Sequence, residues 1–215
     1  MLENYLLYLA FITNKLQKHF DSQKEYICCK KGCAKCCMKA QFPYSEIEFQ
    51  LIYKGLLELE PDVQKEVLDN IDRTIIDKQI HNEEKPNEKF RYNCPFLINN
   101  ECSVYAYRGL ICRTFGLMTF KKGDMKNLNI PFCAYEGLNY STVLDKIENH
   151  ISKTEQEVDT LNPEVMAYNV DYATLLDDEI AKGFNFQFGE VKPLIEWFIK
   201  WKEELIEKIN SSSVL

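Results

Sequence analysis

Apolar side chains recur at helical spacing over most of this chain. Near the amino terminus they are separated by three, four or seven positions: Leu2, Leu6, Leu9, Leu16 and Phe20. This spacing places them on one face and predicts an amphipathic helix packed on a core. No basic segment precedes the apolar run and no small-residue cleavage site follows it, so a packed helix is favoured over a signal peptide.

Two further helices are predicted before residue 81. Ser45 and Glu48 have the spacing of a capping box, which marks the start of the first of them. Its apolar positions are Ile47, Leu51, Ile52, Leu56 and Leu59. Pro61 lies where the first turn of the next helix tolerates proline. The apolar residues of that helix recur every fourth position through about Ile80: Val63, Val67, Ile71 and Ile75. The polar stretch 81–93 is predicted to be an exposed loop.

The rest of the chain has three helical patterns and one strand-like pattern. Residues 141–158 carry apolar positions on one helical face, a second helix is predicted from Pro163 to Gly183, and residues 190–209 form the last. Residues 115–121 and 128–132 are strand-like, and Gly123-Asp124 lies between them. A short hairpin is therefore predicted there.

These patterns predict a mainly α protein, in which a helical shell surrounds an irregular, cysteine-rich, metal-binding centre with at most a short β-hairpin. The length favours one domain over residues 1–215. Within it, the cysteine-cluster core is expected at about 26–135 and a helical carboxy-terminal part at about 139–211. A metal centre can remain irregular because metal–thiolate bonds replace part of a hydrophobic core.

Composition narrows the classes of function. The chain has nine cysteines, an odd number, and no export signal is evident, so metal binding is favoured over a disulfide framework. The net charge of −7 gives no general attraction to nucleic acid. No apolar run reaches the about 18 residues of a membrane span. We expect a cytoplasmic protein with metal ions as partners and neither nucleic acid nor membrane.

The spacing of the cysteines indicates a site assembled by tertiary folding. Five of them lie within residues 28–37, where three are spaced as Cys29-x3-Cys33-x2-Cys36 and Gly32 permits a sharp turn. Cys37 directly follows Cys36. Because adjacent side chains usually diverge, this pair indicates a multinuclear centre or two neighbouring sites. The other four cysteines are spread over residues 94–133, too widely for a compact zinc knuckle.

Three segments resemble a known family. They are Cys29-Lys-Lys-Gly-Cys33-Ala-Lys-Cys36-Cys37, Cys94-Pro95-Phe96-Leu97 and Cys102-Ser-Val-Tyr105-x2-Arg108-x3-Cys112-Arg113-x-Phe115. Together they are similar to the YkgJ-type cysteine cluster proteins, which are described as zinc- or iron-chelating domains and as iron–sulfur proteins related to a flagellin lysine N-methylase. The resemblance implies these metal ligands: Cys29, Cys33, Cys36, Cys37, Cys94, Cys102, Cys112 and Cys133. It leaves Cys28 as the spare, although Cys28 and Cys29 are adjacent and either remains open as the ligand. The family usually has a proline where this chain has Gly109.

Both metal classes fit the cysteine number. Zinc prefers closed four-coordinate sites built from two-cysteine hooks, and the hooks after the first are poor here. Iron–sulfur clusters tolerate wide spacing and use four cysteines for each 4Fe–4S unit. Eight cysteines supply two zinc sites, two clusters or one of each. The spacing favours an iron–sulfur cluster, with zinc as the alternative cofactor. Arg108 and Arg113 are candidates to hydrogen-bond cluster sulfurs or to hold an anion.

Three functional hypotheses follow. The leading one is a metal-binding protein whose centre is structural, redox-active or catalytic. The second, from the family resemblance, is a protein-modifying enzyme such as a lysine N-methylase that acts on a protein substrate. The third is a zinc-stabilised module whose helical shell binds a protein partner. Whether the chain is an enzyme, and its oligomeric state, are left open by the sequence.

Overall fold

A computed structural model describes residues 1–30, 32–39, 41–121, 123–145, 150–151, 164–177 and 179–212. The mainly helical class is confirmed. The helices are α1 (Leu2–Ser22), α2 (Glu46–Leu57), α3 (Pro61–Glu84), α4 (Leu110–Thr114), α5 (Tyr172–Leu176), α6 (Glu179–Gly183) and α7 (Leu194–Ser212). Among these described elements, none is both long enough and apolar enough to cross a membrane.

The strands pair in twos, and every pair is antiparallel. They are β1 (Pro43–Ser45) with β8 (Val191–Pro193), β2 (Leu97–Ile98) with β3 (Glu101–Cys102), β4 (Thr119–Lys121) with β5 (Asp124–Asn129), and β6 (Leu144–Asp145) with β7 (His150–Ile151). The hairpin predicted around Gly123-Asp124 is confirmed as β4–β5. The other three pairs are small additions that the sequence patterns did not predict.

The predicted helix starts at Ser45 and Pro61 are confirmed. The backbone N–H and the hydroxyl of Ser45 both donate hydrogen bonds to Glu48 Oε2, at 2.8 and 2.6 Å. This pairing satisfies a backbone donor that the first turn of α2 leaves open. Pro61 is the first residue of α3, which ends at Glu84 and so includes the first four residues of the predicted loop.

The predicted helix over 141–158 is wrong at the residues that the structure describes. Leu144 and Ile151 are spaced seven apart, which is compatible with one helical face, but they pair directly across the β6–β7 hairpin. A helix places residues seven positions apart on one face, and this hairpin pairs them across two strands. The apolar period alone does not distinguish the two structures. Residues 146–149 and 152–163 lie outside the described part of the chain, and so does Pro163.

The helix predicted from Pro163 to Gly183 is also much shorter than expected. Residues 164–171 are not helical, because the backbone of Tyr168 accepts from Phe120 N–H at 3.0 Å and donates to Met118 O at 2.9 Å. This tertiary pairing replaces local helical bonds. Helical structure starts only after Asp171, whose carboxylate accepts from Thr174 N–H at 3.2 Å, and it ends at the predicted Gly183. The last helix likewise starts at Leu194, since residues 191–193 pair with β1.

The chain divides into two compact units. Unit 1 consists of Met1–Cys33 and Leu110–Gln187, and unit 2 of Ala34–Gly109 and Phe188–Leu215. The chain thus passes from one unit to the other within the cysteine-rich run 28–37. A single domain over the whole length stays a prediction.

Unit 1 is built on α1, which packs against α4. Leu9 and Leu16 are buried as predicted, whereas Leu6 is 38% exposed. Two tyrosines, Tyr5 and Tyr8, complete the buried face instead. A second core cluster consists of Met118, Tyr140, Val143 and Val165. This cluster supports the loop that carries Asn139, a residue of the candidate site.

Unit 2 is held by aromatic side chains from α2 and α7. Phe198 is fully buried. Its ring lies edge-on to that of Phe49 at a centroid distance of 5.1 Å, and its centroid lies 6.0 Å from that of Phe96. Phe49 also stacks on Trp197 at 5.4 Å. Since Phe96 follows Cys94 by two residues, this core fixes one of the cysteine-bearing segments.

Candidate metal centre

The nine cysteines carry free thiols, and five of them belong to unit 1 and four to unit 2. Unit 1 contains Cys28, Cys29, Cys33, Cys112 and Cys133. Unit 2 contains Cys36, Cys37, Cys94 and Cys102. Each unit therefore has at least the four sulfurs that a closed thiolate site uses.

In unit 2, two adjacent sulfurs converge. Cys36 Sγ lies 3.9 Å from Cys37 Sγ. The backbone curls here, because the N–H groups of Cys37 and Met38 both donate to Ala34 O, at 2.9 and 3.0 Å. Cys37 O in turn accepts from Cys94 N–H at 2.7 Å, which attaches the second cysteine segment to the first. Three of the predicted ligands are thereby brought together by a turn and one backbone hydrogen bond.

Cys102 enters the same neighbourhood on the β2–β3 hairpin. It pairs with Leu97, and the two-residue turn between the strands is made by Asn99 and Asn100 with φ of 50° and 62°. Asparagine tolerates this left-handed region, and a hairpin with two left-handed turn residues matches the twist of its strands. Cys102 is an electrostatic neighbour of Cys36. The Asn-Asn pair was a usable hairpin signal that the sequence reasoning missed.

Arg108 is the cation beside these sulfurs. Its guanidinium carbon lies 3.5 Å from the centre of the Tyr105 ring, and its Nε donates to Tyr105 O at 3.1 Å. Its charge favours the thiolate forms of both Cys36 and Cys102. A stacked guanidinium stays charged at any physiological pH, so it offsets the negative charge that several thiolates accumulate.

In unit 2, the pKa values of the Cys36 and Cys102 thiols are shifted in opposite directions, the first by a hydrogen bond and the second by burial. The hydrogen bond from the Cys37 thiol lowers the pKa of Cys36 from 9.0 to about 7, and the charge of Arg108 adds a smaller effect in the same direction. Burial raises the pKa of Cys102, against the smaller opposing effect of Arg108. Of these two thiols, Cys36 is therefore the one more ready to bind a metal as thiolate.

In unit 1, Asn139 organises the first cysteine segment. Its buried side chain donates from Nδ2 to Cys29 Sγ at 3.1 Å and to Gly116 O at 2.9 Å. Its Oδ1 accepts from Cys28 N–H at 2.7 Å. One amide thus joins the 28–29 segment to the segment that follows α4. No periodic pattern marks Asn139 in the sequence, and we did not predict its role.

Gly116 allows the close approach of Cys29. Its φ is +105°, a region that residues with a side chain rarely adopt. A Cβ at this position would lie 2.8 Å from Cys29 Sγ and 2.9 Å from Asn139 Nδ2. Glycine is required on both grounds. The sequence gives no local sign of this role, since the contact is with a residue far away in the chain.

Cys133 is a buried cysteine of unit 1. It is buried in a short 3₁₀ turn, Phe132–Glu136, and burial raises its pKa to about 11. The charges of Cys29 and, to a lesser extent, Cys33 raise it further, so both sulfurs are electrostatic neighbours of Cys133. Two other predicted ligands of unit 1 therefore act electrostatically on Cys133.

Cys112 is placed in unit 1 by α4. This helix packs on α1 and α5, and Arg113 Nη1 donates to Thr13 Oγ1 at 3.3 Å across the α1–α4 contact. Gly116, which contacts Cys29, follows Cys112 by four residues. Arg113 thus pairs with a hydroxyl of α1.

The donor chemistry fits a soft metal. Among the described residues, no three Cys, His, Asp or Glu side chains lie close enough together to hold one metal ion. Thiolates nevertheless form the donor set that zinc and iron–sulfur clusters take, and each unit supplies four or more of them. Metal binding would draw together sulfurs that are already neighbours, which is the usual coupling of metal binding to folding.

The pKa values of the metal-free protein can be tested by alkylation. Because the pKa of Cys36 is about 7 and that of Cys133 about 11, the alkylation rate at Cys36 should reach half its maximum near pH 7, whereas that at Cys133 should still be rising above pH 9. Mass spectrometry of peptides after brief iodoacetamide treatment measures both. Replacing Cys37 by alanine should move the Cys36 midpoint upward, and an unchanged midpoint would contradict the assigned hydrogen bond. By linkage, Cys36 stabilises the metal-free fold fully above pH 9, and this stabilisation is lost as the pH falls through 7.

Taken together, the fold and the thiol groups define a mainly helical protein with cysteine donors for a soft metal. Residues 28–134 match the family described as "CxxCxxCC: Putative zinc- or iron-chelating domain". The protein belongs to this family, the YkgJ-type cysteine cluster proteins, as the sequence resemblance indicated. No curated protein and no solved structure matches the chain.

Proposed function

We propose that this protein holds zinc or iron as a resident structural metal bound by its cysteine thiolates. The observation that carries the proposal is the 3.9 Å distance between Cys36 Sγ and Cys37 Sγ. Two sulfurs bound to one tetrahedral zinc at about 2.3 Å are about 3.8 Å apart. The pair is thus already spaced as two ligands of a single ion.

This distance also bears on the choice of metal. In a 4Fe–4S cluster each cysteine binds a different iron, and the bridged irons hold the cysteine sulfurs farther apart than two ligands of one ion. The spacing along the sequence favours an iron–sulfur cluster, whereas the distance between Cys36 and Cys37 favours one tetrahedral ion. We therefore propose zinc at this pair.

A structural role accounts for the backbone around the cysteines. The ligands of unit 2 lie on turns and a two-residue hairpin, and three of those of unit 1 lie on a loop and a 3₁₀ turn. Such segments lack the regular backbone hydrogen bonds of a long helix or sheet, so metal–thiolate bonds would add to their stabilisation. Nothing in the described part of the chain favours lysine methylation, a redox role or a partner-binding role over this one.

Purification without oxygen, followed by elemental analysis and absorbance, tests the proposal. The expected result is bound zinc, no iron and no visible absorption. Iron with visible absorption would contradict zinc but retain metal binding. Protein that contains neither metal, with nine titratable thiols, would contradict the proposed function. A variant with serine at all eight proposed ligands is the matched control and should contain no metal.

A further inference from the structure

We infer that the protein has two separate metal centres, one in each unit. The Cys36 group consists of Cys36, Cys37, Cys94 and Cys102, and the Cys29 group of Cys29, Cys33, Cys112 and Cys133. The inference rests on the proposed function, because it assigns the ligands of the metals proposed there. Each group has four sulfurs, the number that closes a tetrahedral thiolate site.

The first observation is the division of the cysteine-rich run. Unit 1 ends its first segment at Cys33 and unit 2 begins at Ala34, so the run contributes Cys29 and Cys33 to one unit and Cys36 and Cys37 to the other. The later cysteines divide in the same way, since Cys94 and Cys102 precede the second crossing at Gly109 and the other two follow it. The cysteine-rich run therefore contains two ligands of each proposed centre, one pair directly after the other in the sequence.

The second observation is that the contacts among the sulfurs follow the same division. In the Cys36 group, Cys36 contacts Cys37, Cys94 bonds to the backbone of Cys37, and Cys102 is the electrostatic neighbour of Cys36. In the Cys29 group, Cys133 has Cys29 and Cys33 as its electrostatic neighbours. The contacts in the Cys36 group and the electrostatic neighbours of Cys133 agree with the division by unit, and Cys112 is assigned to the Cys29 group by its unit.

Each group also has its own polar support. Arg108, stacked on Tyr105, provides positive charge beside the Cys36 group. Asn139 donates a hydrogen bond to Cys29 Sγ and so acts as a positioning residue for the Cys29 group. Hydrogen bonds of this kind from outside the ligand set orient metal-bound sulfurs.

Cys28 belongs to neither group in this assignment. Its backbone N–H is bound by Asn139 Oδ1, and the same amide binds the sulfur of Cys29. The amide therefore holds Cys29, rather than its neighbour, with its sulfur against Gly116. This assignment makes Cys28→Ser a matched control for every ligand substitution.

Single serine variants test the inference through metal content. Cys102→Ser and Cys133→Ser each remove one proposed ligand, one from each group. We expect each variant, purified without oxygen, to lose part of the metal, and the two losses to sum to the wild-type content in elemental analysis. The double variant should contain almost no metal, and Cys28→Ser should contain the wild-type amount.

Three results would overturn the inference. Either single variant could lose all the metal, both could lose the same metal so that the double variant loses no more, or Cys28→Ser could lose as much as a ligand variant. Because Cys133 is buried, Cys29→Ser, an exposed position in the same group, provides the same test if Cys133→Ser does not fold. Wild-type protein without metal would instead contradict the proposed function itself, so the two failures are distinguishable.

The role of Asn139 has a separate readout. Asn139→Asp keeps the size of the side chain but replaces the donating amide with a carboxylate. Cobalt can replace zinc in thiolate sites, and its charge-transfer absorption reports the sulfur environment. In the cobalt-substituted protein, we expect Asn139→Asp to change only the part of the charge-transfer absorption that is lost in Cys133→Ser. A change in the share that Cys102→Ser removes would contradict the assignment.

Discussion

Removing the metal should cause the largest loss of stability in this protein. The apparent binding free energy of a structural zinc site is about 10–16 kcal/mol. A loss of about 10 kcal/mol lowers the melting temperature of a chain of this size by about 20–40 °C. The irregular segment around Cys36 should unfold first, because its order depends most on the metal. Thermal unfolding followed by circular dichroism, with a strong chelator and a reductant and without oxygen, measures the effect.

Two controls make this experiment specific. Cys28→Ser should behave as the wild type in both metal-bound and metal-free forms, since Cys28 is not a proposed ligand. Adding zinc back after chelation should restore the melting temperature. A metal-free protein, shown to be so by elemental analysis, that melts at the same temperature as the metal-bound form would contradict the structural role.

The second large effect concerns the core of unit 2. Phe198→Ala is expected to lower the free energy of unfolding by about 3–5 kcal/mol, the usual loss for a buried phenylalanine. Phe198 is fully buried and its ring contacts Phe49, Phe96 and Trp201. Denaturant titration followed by tryptophan fluorescence measures the change, since Trp197 and Trp201 lie beside the substituted position.

A matched control distinguishes packing from a general effect of the substitution. Ile76 is on α3 of the same unit and is 55% exposed, so Ile76→Ala should change the free energy of unfolding by about 0.5 kcal/mol or less. Phe198→Ala should also weaken metal retention by the Cys36 group, because Phe96 lies two residues from Cys94. Equal stabilities of the two variants would show that Phe198 is not a core residue.

The parts of the fold that local signals determine were predictable. The capping pair Ser45 and Glu48, Pro61 at the start of α3 and the turn at Gly123-Asp124 each act over a few residues, and the structure contains all three features. The helical predictions for 141–158 and 164–171 were wrong at the described residues because an apolar period does not show where the backbone bonds go. Leu144 and Ile151 pair across a short hairpin, and Tyr168 bonds to the backbone of Met118 and Phe120.

The candidate site, like the fold, could be predicted from the sequence only in part. The number and spacing of the cysteines predicted a metal-binding protein, which the family match supports, and the family resemblance implies a set of eight ligands that stays a prediction. Asn139 and Gly116 were missed because each matters through one contact made in the folded state. The grouping of the ligands was equally hidden. Cys33 and Cys36 are three residues apart in the chain and belong to different units.

The adjacent pair shows how local backbone conformation changes a sequence-based expectation. Neighbouring side chains diverge in extended backbone, which is why Cys36-Cys37 indicated more than one metal. The turn over Ala34–Met38 instead brings the two sulfurs to 3.9 Å. Two centres are still inferred, but the reason is the division of the ligands between units rather than the divergence of this pair.

Native mass spectrometry of the wild-type chain, purified without oxygen, tests the central claim most directly. The account predicts a mass above that of the 25.3 kDa polypeptide by the mass of bound metal, with partly loaded species that differ by one centre at a time. Cys102→Ser and Cys133→Ser should each lack one of these increments. A wild-type mass equal to that of the polypeptide with nine free thiols would contradict metal binding.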